Sequence, residues 1–407
     1  MRSNITKYYF FTTLYSLALM FCSGSVIQTF LLQSGFTSQQ VYLYNAMIQI
    51  VQVVIMIGSI FVLDFIRKTK KIIGVTTIAT IFLFLALFFC GANRSGNIAL
   101  SIGVMFSTSF VVYCFYGVRT IESYRLPYSI MDIKSYGKIS ALSLAIHGAA
   151  TLGVSLLYSF VASKYDFFKV HYAFFAIAIL FIGIATVICF SFKEQPLNDQ
   201  MPDKPKKFSD IKIFKNKKMY VLLLPNFLRG VTFGVLSLLT VIGLSENLLT
   251  VKTSGLMVVA NQLAILLGNF VFAFTCKKFS SRCLMMVSCV CMCIFLPLTI
   301  ARGNSVDFIV FYCIGQFFCM IVDTAIPVIV TEFVPYDQMG AFTAIRLAVY
   351  TFGSAFASVL LDSLIKLMGY LPLLILASVF QFICCISYFF VSKNKDDLGS
   401  QEQLGEE

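Results

Sequence analysis

The chain has 407 residues, of which 58% are apolar and 12% charged, and its mean hydropathy is +0.86. Soluble domains carry charge on about a quarter of their residues, so this composition excludes a soluble protein and predicts an integral membrane protein. No nucleic-acid-binding motif accompanies the net charge of +12, which we attribute to contact with anionic lipid headgroups. We expect the lipid bilayer, and no nucleic acid, among the partners.

Apolar segments recur along the whole chain, each long enough to cross roughly 30 Å of hydrocarbon as an α-helix. The sequence therefore predicts an all-α membrane protein with twelve transmembrane helices. Numbered spans 1 to 12, they cover Tyr8–Leu32, Val41–Leu63, Ile72–Gly91, Ile98–Arg119 or beyond, Ile139–Ser163, Tyr172–Phe192, Tyr220–Ser245, Thr253–Thr275, Cys283–Ala301, Phe308–Glu332, Ala341–Leu367 and Tyr370–Val391.

A polar segment, Lys193–Lys218, divides the spans six and six and contains eight lysines and three of the nine prolines. This composition predicts a linker between two bundles. The predicted boundaries are an N-terminal six-helix bundle at 1–192, the linker at 193–219, a C-terminal six-helix bundle at 220–392 and a tail at 393–407.

The two bundles are predicted to be pseudo-symmetric, because one stretch of sequence recurs. GKISALSLAIHGA, from Gly137, matches GAFTAIRLAVYTF, from Gly340, at an offset of 203 residues. Internal repeats are common in transporter folds. Span 5 therefore corresponds to span 11.

Basic residues predict the orientation, since Lys and Arg are retained on the cytoplasmic side of short loops. With the N-terminus inside, cytoplasmic segments hold 23 of the 31 basic residues, outer loops hold six, and Arg229 and Arg346 lie within spans. We expect a multi-pass protein of the cell membrane with both termini in the cytoplasm.

Cysteine usage gives no reason to expect a cofactor or a metal. Nearly all thirteen cysteines lie in apolar runs, where Cys behaves as a small hydrophobe. In CVCMC, Cys289 and Cys293 share a helical face while Cys291 points nearly opposite. The chain also lacks HExxH, GxSxG and GxxxxGK[ST] motifs, so we expect neither an enzyme nor a nucleotide-driven pump.

Two loop motifs, with the topology, resemble those of the major facilitator superfamily. GSIFVLDFIRKTKK between spans 2 and 3 has an Asp, Asp64, followed by clustered Arg and Lys, although the usual glycines are displaced or missing. EFVPYDQMG, from Glu332, is similar to the family's Glu, Pro, Arg-Gly signature, with Met339 in place of the Arg. The resemblance implies two six-helix bundles around a cavity lined by spans 1, 4, 7 and 10, with alternating access.

Two charged residues inside the predicted spans lie at the same predicted depth in the membrane. Arg229 in span 7 and Asp323 in span 10 each lie roughly 14 Å from the predicted cytoplasmic surface at 1.5 Å per residue. A charge in hydrocarbon normally faces a cavity or a partner. We interpret Arg229 as a substrate-binding residue and Asp323 as a proton carrier, with Asn226 and Gln316 on the same helical stripes as further substrate contacts. The alternative is a static ion pair between the helices.

Span 4 ends in YCFYGVRTIESYRLPY, whose polar residues have two interpretations. Counting from Ile98 places Arg119 at the cytoplasmic interface, whereas the repeat offset aligns it with Val322 near the midplane. At the deeper position Arg119 and Tyr116 would bind substrate, two arginines would favour an anion, and Glu122 would join the proton path. At the shallower one the charges form an interfacial cluster.

Other polar residues lie in spans 5 and 11 and at the end of span 10. His147 is either a packed, hydrogen-bonded group or a proton carrier. The resemblance implies a contact between Asp64 and the start of span 11, which makes Asp64 and Arg346 a predicted cytoplasmic latch. Glu332, the Glu of the second motif, is grouped with them as a gating residue.

The function predicted from these features is secondary active transport of a small polar solute, with a proton as the coupling ion. If both arginines line the cavity, the solute is expected to be an anion. The family's drug and proton antiporters typically have a Gly-Pro motif in the fifth span. Span 5 of this chain has no proline, which favours uptake over export. The alternatives are a drug or metabolite efflux antiporter and a non-transporting membrane sensor. Substrate identity, coupling ion, direction and oligomeric state are left open by the sequence.

Overall fold

The computed structural model describes residues 2–62, 69–130, 133–194, 221–276, 278–334 and 336–391. In these ranges the chain is helical, with no strand, which confirms the predicted all-α fold. The helices are Arg2–Met20 and Gly24–Gln33 (span 1), Ser38–Val62, Thr69–Ala92, Ile98–Ile130, Ile133–Lys164 and Phe167–Phe190 (spans 2 to 6), Leu223–Ser237 and Leu239–Ser245 (span 7), and Val251–Thr275, Ser281–Ala301, Ser305–Thr331, Tyr336–Met368 and Tyr370–Phe390 (spans 8 to 12).

Eleven of these segments are long and apolar enough to cross a membrane, and the bent pair of span 7 makes a twelfth. The helices of spans 6 and 12 begin at Phe167 and Tyr370. Their separation along the chain equals the offset of the sequence repeat between spans 5 and 11. The helix positions thus follow the internal repeat read from the sequence.

Spans 1 and 7 are both interrupted near their middle. Span 1 breaks between Met20 and Gly24, where Gly24 has a φ of +52°, a left-handed conformation that suits glycine because it has no Cβ. Span 7 bends by 42° at Leu238. A broken helix leaves backbone carbonyls without their helical partners, and in a membrane another group must satisfy them.

The hydrogen bonds between the two halves lie at the end of the bundle that carries the connection between spans 1 and 2, which we call the predicted outer end. Four such bonds join described residues. Gln28 Nε2 donates to the carbonyl of Ser237 at 2.7 Å, which satisfies the break in span 7. The others join Ser25 to Thr240 at 2.7 Å, Ser38 to Ser245 at 3.0 Å and Asn45 to Ser358 at 2.9 Å.

Within the C-terminal half, spans 7 and 11 approach closely through small residues. A Cβ added at Gly234 would lie 2.6 Å from the carbonyl oxygen of Ser354, and Gly230 and Gly353 approach the backbones of Tyr350 and Phe227 more closely still. Small residues let membrane helices approach backbone to backbone. This contact holds Arg229, next to Gly230, beside Tyr350.

Candidate transport site

A cavity of about 380 Å³, which we call the central cavity, lies between the two halves and is lined by spans 1, 2, 3, 4, 7 and 11. The described residues of its wall include no charged side chain and are rich in amides and aromatic rings. The apolar part includes Ile27, Ile48 and Phe233. The polar part includes Gln28, Asn45, Gln49, Gln52, Tyr113 and Tyr116.

Two further cavities adjoin span 1. The Arg119 cavity, of about 180 Å³, is lined by Arg119, His147, Ser143 and Thr12. The lateral cavity, of about 520 Å³, lies between spans 1, 5, 8 and 10. It shares its lining with both neighbours: Ser16, Leu144 and His147 with the Arg119 cavity, and Leu19 and Ser23 with the central cavity. The three cavities therefore follow one another around span 1.

Arg229 and Asp323 form an ion pair between spans 7 and 10. The Arg229 side chain is 8% exposed and that of Asp323 21% exposed, so the carboxylate has the better access to water. The Arg229 guanidinium also stacks on the ring of Tyr350, with its central carbon 4.8 Å from the ring centroid. Because Tyr350 lines the central cavity, one aromatic ring connects the pair to that cavity.

Arg119 lies inside its helix and not at the end of it. Its helix continues to Ile130, eleven residues or about 16 Å further on, and its side chain is buried. The guanidinium packs over the ring of Tyr15, 3.4 Å from the centroid, and donates to the hydroxyl of Thr77 and the carbonyl of Ile73. No carboxylate of a described residue pairs with it in the structure.

The other predicted residues of spans 4 and 5 divide between the cavities. Tyr116 lines the central cavity, and His147 lies between the Arg119 cavity and the lateral cavity and lines both. The helix of span 4 contains Glu122, but its side chain lies outside the described part of the chain. The proton-coupling role of Glu122 therefore stays a prediction.

Asn226 and Gln316 lie outside the linings of the three cavities. Asn226 is fully buried, and its amide donates to the Tyr388 hydroxyl and the Leu222 carbonyl, both at 2.7 Å. The bond to Tyr388 joins span 7 to span 12, and the bond to Leu222 lies within span 7. Gln316 is partly buried on span 10.

The predicted gating residues are found in three different settings. Arg346 is buried on span 11, one helical turn before Tyr350 and on the same face. Asp64 lies outside the described residues, so the latch with Arg346 stays a prediction. Glu332 pairs with Arg282 at 2.9 Å, and Arg282 also donates to the carbonyls of Phe389 and Val391, which joins spans 9, 10 and 12 within one half.

The amides of the central cavity were not predicted from the sequence, although a signal for them existed. Asn45, Gln49 and Gln52 stand in an otherwise apolar span at spacings of four and three, which places them on one helical face. Attention to charge alone misses such a stripe. Tyr15 and Tyr350 carried no signal, because a tyrosine in a membrane helix is as often a packing residue.

Comparison with solved structures identifies the architecture. The chain superposes on a D-xylose-proton symporter with a TM-score of 0.71 at 12% identity, covering 97% of this chain and 98% of that one. It superposes on the E. coli fucose:proton symporter FucP with a TM-score of 0.67 at 12% identity, covering 96% of this chain and 98% of that one. For the nucleoside transporter NupG the TM-score is 0.68 at 15% identity, covering 95% of this chain and 100% of that one. At such identities the likeness establishes the fold.

The sequence model of the Major Facilitator Superfamily matches residues 222–405. No curated protein has a significantly similar sequence. The C-terminal half of the chain thus matches the Major Facilitator Superfamily in sequence, and the chain as a whole has the fold of the solved transporters.

Proposed function

We propose that the protein is a secondary active transporter that takes up a small polar solute by alternating access, driven by a proton gradient. The observation that carries this proposal is the Arg229–Asp323 ion pair, which stands inside two spans and meets the polar cavity between the halves through Tyr350. A buried charge pair is costly in a membrane, and its presence beside a cavity favours a functional role.

The pair offers a route for coupling. While Arg229 contacts Asp323, the two charges cancel. If substrate or a movement of span 7 draws Arg229 away, a proton on Asp323 would replace the lost positive charge. Asp323 is the more exposed partner, so a proton can reach it from water while Arg229 stays enclosed.

The solved structures support the coupling ion and the solute size. Two of the three similar structures are described as proton symporters for single sugars, and the third as a nucleoside transporter. The closure at the predicted outer end agrees with a carrier whose two halves separate at one end at a time.

The test is proton flux in proteoliposomes that contain a trapped pH indicator. Addition of a transported solute from a panel of sugars, nucleosides and organic acids should move protons with wild-type protein. Asp323→Asn should still exchange labelled for unlabelled solute but should not concentrate it. Asp307→Asn removes a carboxylate at the start of span 10, near Arg302, and is the matched control expected to behave as wild type. Accumulation by Asp323→Asn at the wild-type level would exclude Asp323 as the proton carrier.

Efflux of an amphipathic compound is a second candidate, favoured by the lateral cavity. Its wall is mostly apolar and includes Leu144, Ile265, Leu266 and Phe270. Such a wall suits an apolar solute. Inside-out vesicles that accumulate a cationic dye in exchange for protons would favour this candidate over uptake.

A further inference from the structure

Tyr350 stands between the central cavity and the Arg229–Asp323 ion pair. Its ring forms part of the cavity wall, and the Arg229 guanidinium lies over the same ring, 4.8 Å from the centroid. Arg229 is thus held from two sides, by the Asp323 carboxylate and by the ring. A cation on a buried aromatic ring is held more strongly than one at the surface, because little water competes for it. The ring therefore helps to keep the guanidinium beside the carboxylate.

The C-terminal half contributes few described side chains to the wall of the central cavity. They belong to spans 7 and 11 and are Phe233, Tyr350, Thr351 and Ser354. The rings of Phe233 and Tyr350 have their centroids 5.4 Å apart and form one aromatic surface. The amides of the cavity wall belong to spans 1 and 2, in the N-terminal half. A solute held between the amides and the C-terminal half therefore packs against the aromatic surface that Tyr350 shares.

The backbones of spans 7 and 11 are locked together at this level. Gly230, next to Arg229, packs directly on the carbonyl of Tyr350, and Gly353 packs on the carbonyl of Phe227. Small residues allow this backbone contact between membrane helices. Because both backbones are fixed, the ring and the guanidinium can part by rotation of their side chains between rotamers. The ring can turn toward a solute without movement of span 11.

The Asp323 carboxylate is the group that can exchange a proton in this arrangement. The other titratable side chains around it, among the described residues, are Arg229 of span 7, Cys319 of span 10, Tyr350 of span 11 and Cys384 of span 12. Arginine is permanently charged, and thiols and phenols are ordinarily neutral at neutral pH. A proton taken up at this site therefore goes to the carboxylate.

We infer that Tyr350 is a positioning residue that couples occupancy of the central cavity to the proton on Asp323. While the cavity is empty, the ring holds Arg229 beside Asp323, and the two charges cancel. A solute that packs on Tyr350 turns the ring away, the guanidinium loses its second contact, and Asp323 takes up a proton from water in place of the lost positive charge. This inference rests on the proposed transport function and names the residue that makes proton uptake depend on the solute.

Carbodiimide labelling of Asp323 in the purified full-length protein tests the positioning step without any solute. Dicyclohexylcarbodiimide modifies a protonated carboxyl group, and mass spectrometry of the peptide gives the labelling rate. Tyr350→Leu removes the ring and should raise the rate by about 5- to 30-fold, the range expected for loss of a buried cation–π contact. Tyr350→Phe keeps the ring and should label as wild type does.

Two further variants complete the labelling experiment. Asp323→Asn gives the background rate at this peptide. Tyr350→Met also lacks a ring, so it carries the same expectation if Tyr350→Leu does not fold. Equal labelling rates in the wild type and in the variant without the ring would overturn the inference.

Proton and solute fluxes in proteoliposomes test the coupling step. The probe is the solute, from the panel of sugars, nucleosides and organic acids, that moves most protons with wild-type protein. In Tyr350→Leu the carboxylate holds its proton with and without solute, so the empty carrier also returns protonated. The ratio of proton flux to solute flux should therefore fall by about fivefold or more while exchange of labelled for unlabelled solute continues.

Tyr113→Leu is the matched control for the fluxes. Tyr113 also lines the central cavity and packs against another ring, that of Tyr116, but it belongs to the N-terminal half. Its loss should weaken the apparent affinity for the solute and leave the flux ratio unchanged. If Tyr350 were merely structural, both fluxes would fall together in Tyr350→Leu at an unchanged ratio, and this result would contradict the inference.

The labelling and flux results separate this inference from the transport proposal. If Tyr350→Leu raises the labelling rate but no solute moves protons with wild-type protein, the transport proposal and the coupling role fail, and the positioning of Arg229 by Tyr350 stands. If a solute moves protons with wild-type protein and Tyr350→Leu keeps the same flux ratio, transport stands and the coupling role of Tyr350 is wrong.

Discussion

The guanidinium of Arg229 has an anion on one side and the ring of Tyr350 on the other. Removing one member of a buried pair leaves an uncompensated charge, which typically costs about 3 to 5 kcal/mol, whereas removing both avoids that cost. We expect Arg229→Ala and Asp323→Ala each to abolish transport and reduce surface expression. The double variant should recover expression without recovering transport, as measured by quantitative surface labelling and solute uptake.

Exchange of the two charges is the control for a merely structural pair. Arg229→Asp combined with Asp323→Arg keeps one ion pair between spans 7 and 10, but it moves the guanidinium away from Tyr350. We expect this variant to reach the surface and remain inactive. Wild-type uptake by the exchanged pair would show that the pair only holds the helices together.

At the scale of residues, the pairing of the membrane charges was easier to predict from the sequence than the residues that line the cavity. Arg229 and Asp323 could be paired from depth alone, because a charge in an apolar span has few acceptable positions. The direction of Asn226 could not, since it depends on the position of span 12 around span 7. The Oε1 atoms of Gln28 and Gln49 are buried and have no hydrogen-bond partner among the described residues, which can be seen only when the neighbouring helices are in place.

Among the helices, the interrupted spans 1 and 7 determine how the predicted outer end closes. Their broken ends meet through Gln28 and Ser237 and through Ser25 and Thr240. Each such hydrogen bond contributes about 0.5 to 1.5 kcal/mol, so loss of one should shift the closed-to-open ratio by roughly 2- to 10-fold.

A disulfide trap measures that shift. The hydroxyls of Ser38 and Ser245 are 3.0 Å apart, so cysteines at these two positions should cross-link on a Cys-less background and stop transport. Gln28→Leu should slow the cross-linking severalfold. Ser107→Ala removes a hydroxyl that bonds within its own helix and should leave the rate unchanged. Equal rates with and without Gln28→Leu would show that this bond does not hold the outer end closed.

The positions of the helices could be predicted from the lengths of the apolar segments, but the breaks within spans 1 and 7 could not. All twelve predicted spans correspond to helices, and the largest difference is span 4, whose helix continues to Ile130. Polar residues follow Arg119 there, so hydropathy ends the span too early. The bend at Leu238 has no proline or glycine at the break, and the contact that satisfies it comes from the other half of the molecule.

For the whole molecule, the orientation rests on the distribution of basic residues, with six in outer loops and 23 in cytoplasmic segments, or 22 when Arg119 is assigned to the helix of span 4. We predict that the linker and both termini are cytoplasmic and that Ser34 to Gln40 face outside. In intact cells, an impermeant thiol reagent should modify Ser38→Cys and should not modify Gln195→Cys until the membrane is permeabilised. Modification of Gln195→Cys in intact cells would show that the predicted topology is inverted.

Among the described residues, Arg119 is a buried cation without a carboxylate partner, and we predict that it makes the empty carrier sensitive to membrane potential. Arg229 and Asp323 cancel each other's charge, so these three residues together leave one positive charge on the empty carrier. A positive charge inside the bundle is drawn toward a negative cytoplasm, by up to about 2.3 kcal/mol per 100 mV if it crosses the whole field. Voltage jumps applied to the solute-free protein in a planar membrane should therefore give a transient charge movement, and Arg119→Gln should reduce it. A charge movement of equal size in Arg119→Gln would show that the voltage-sensitive charge lies elsewhere.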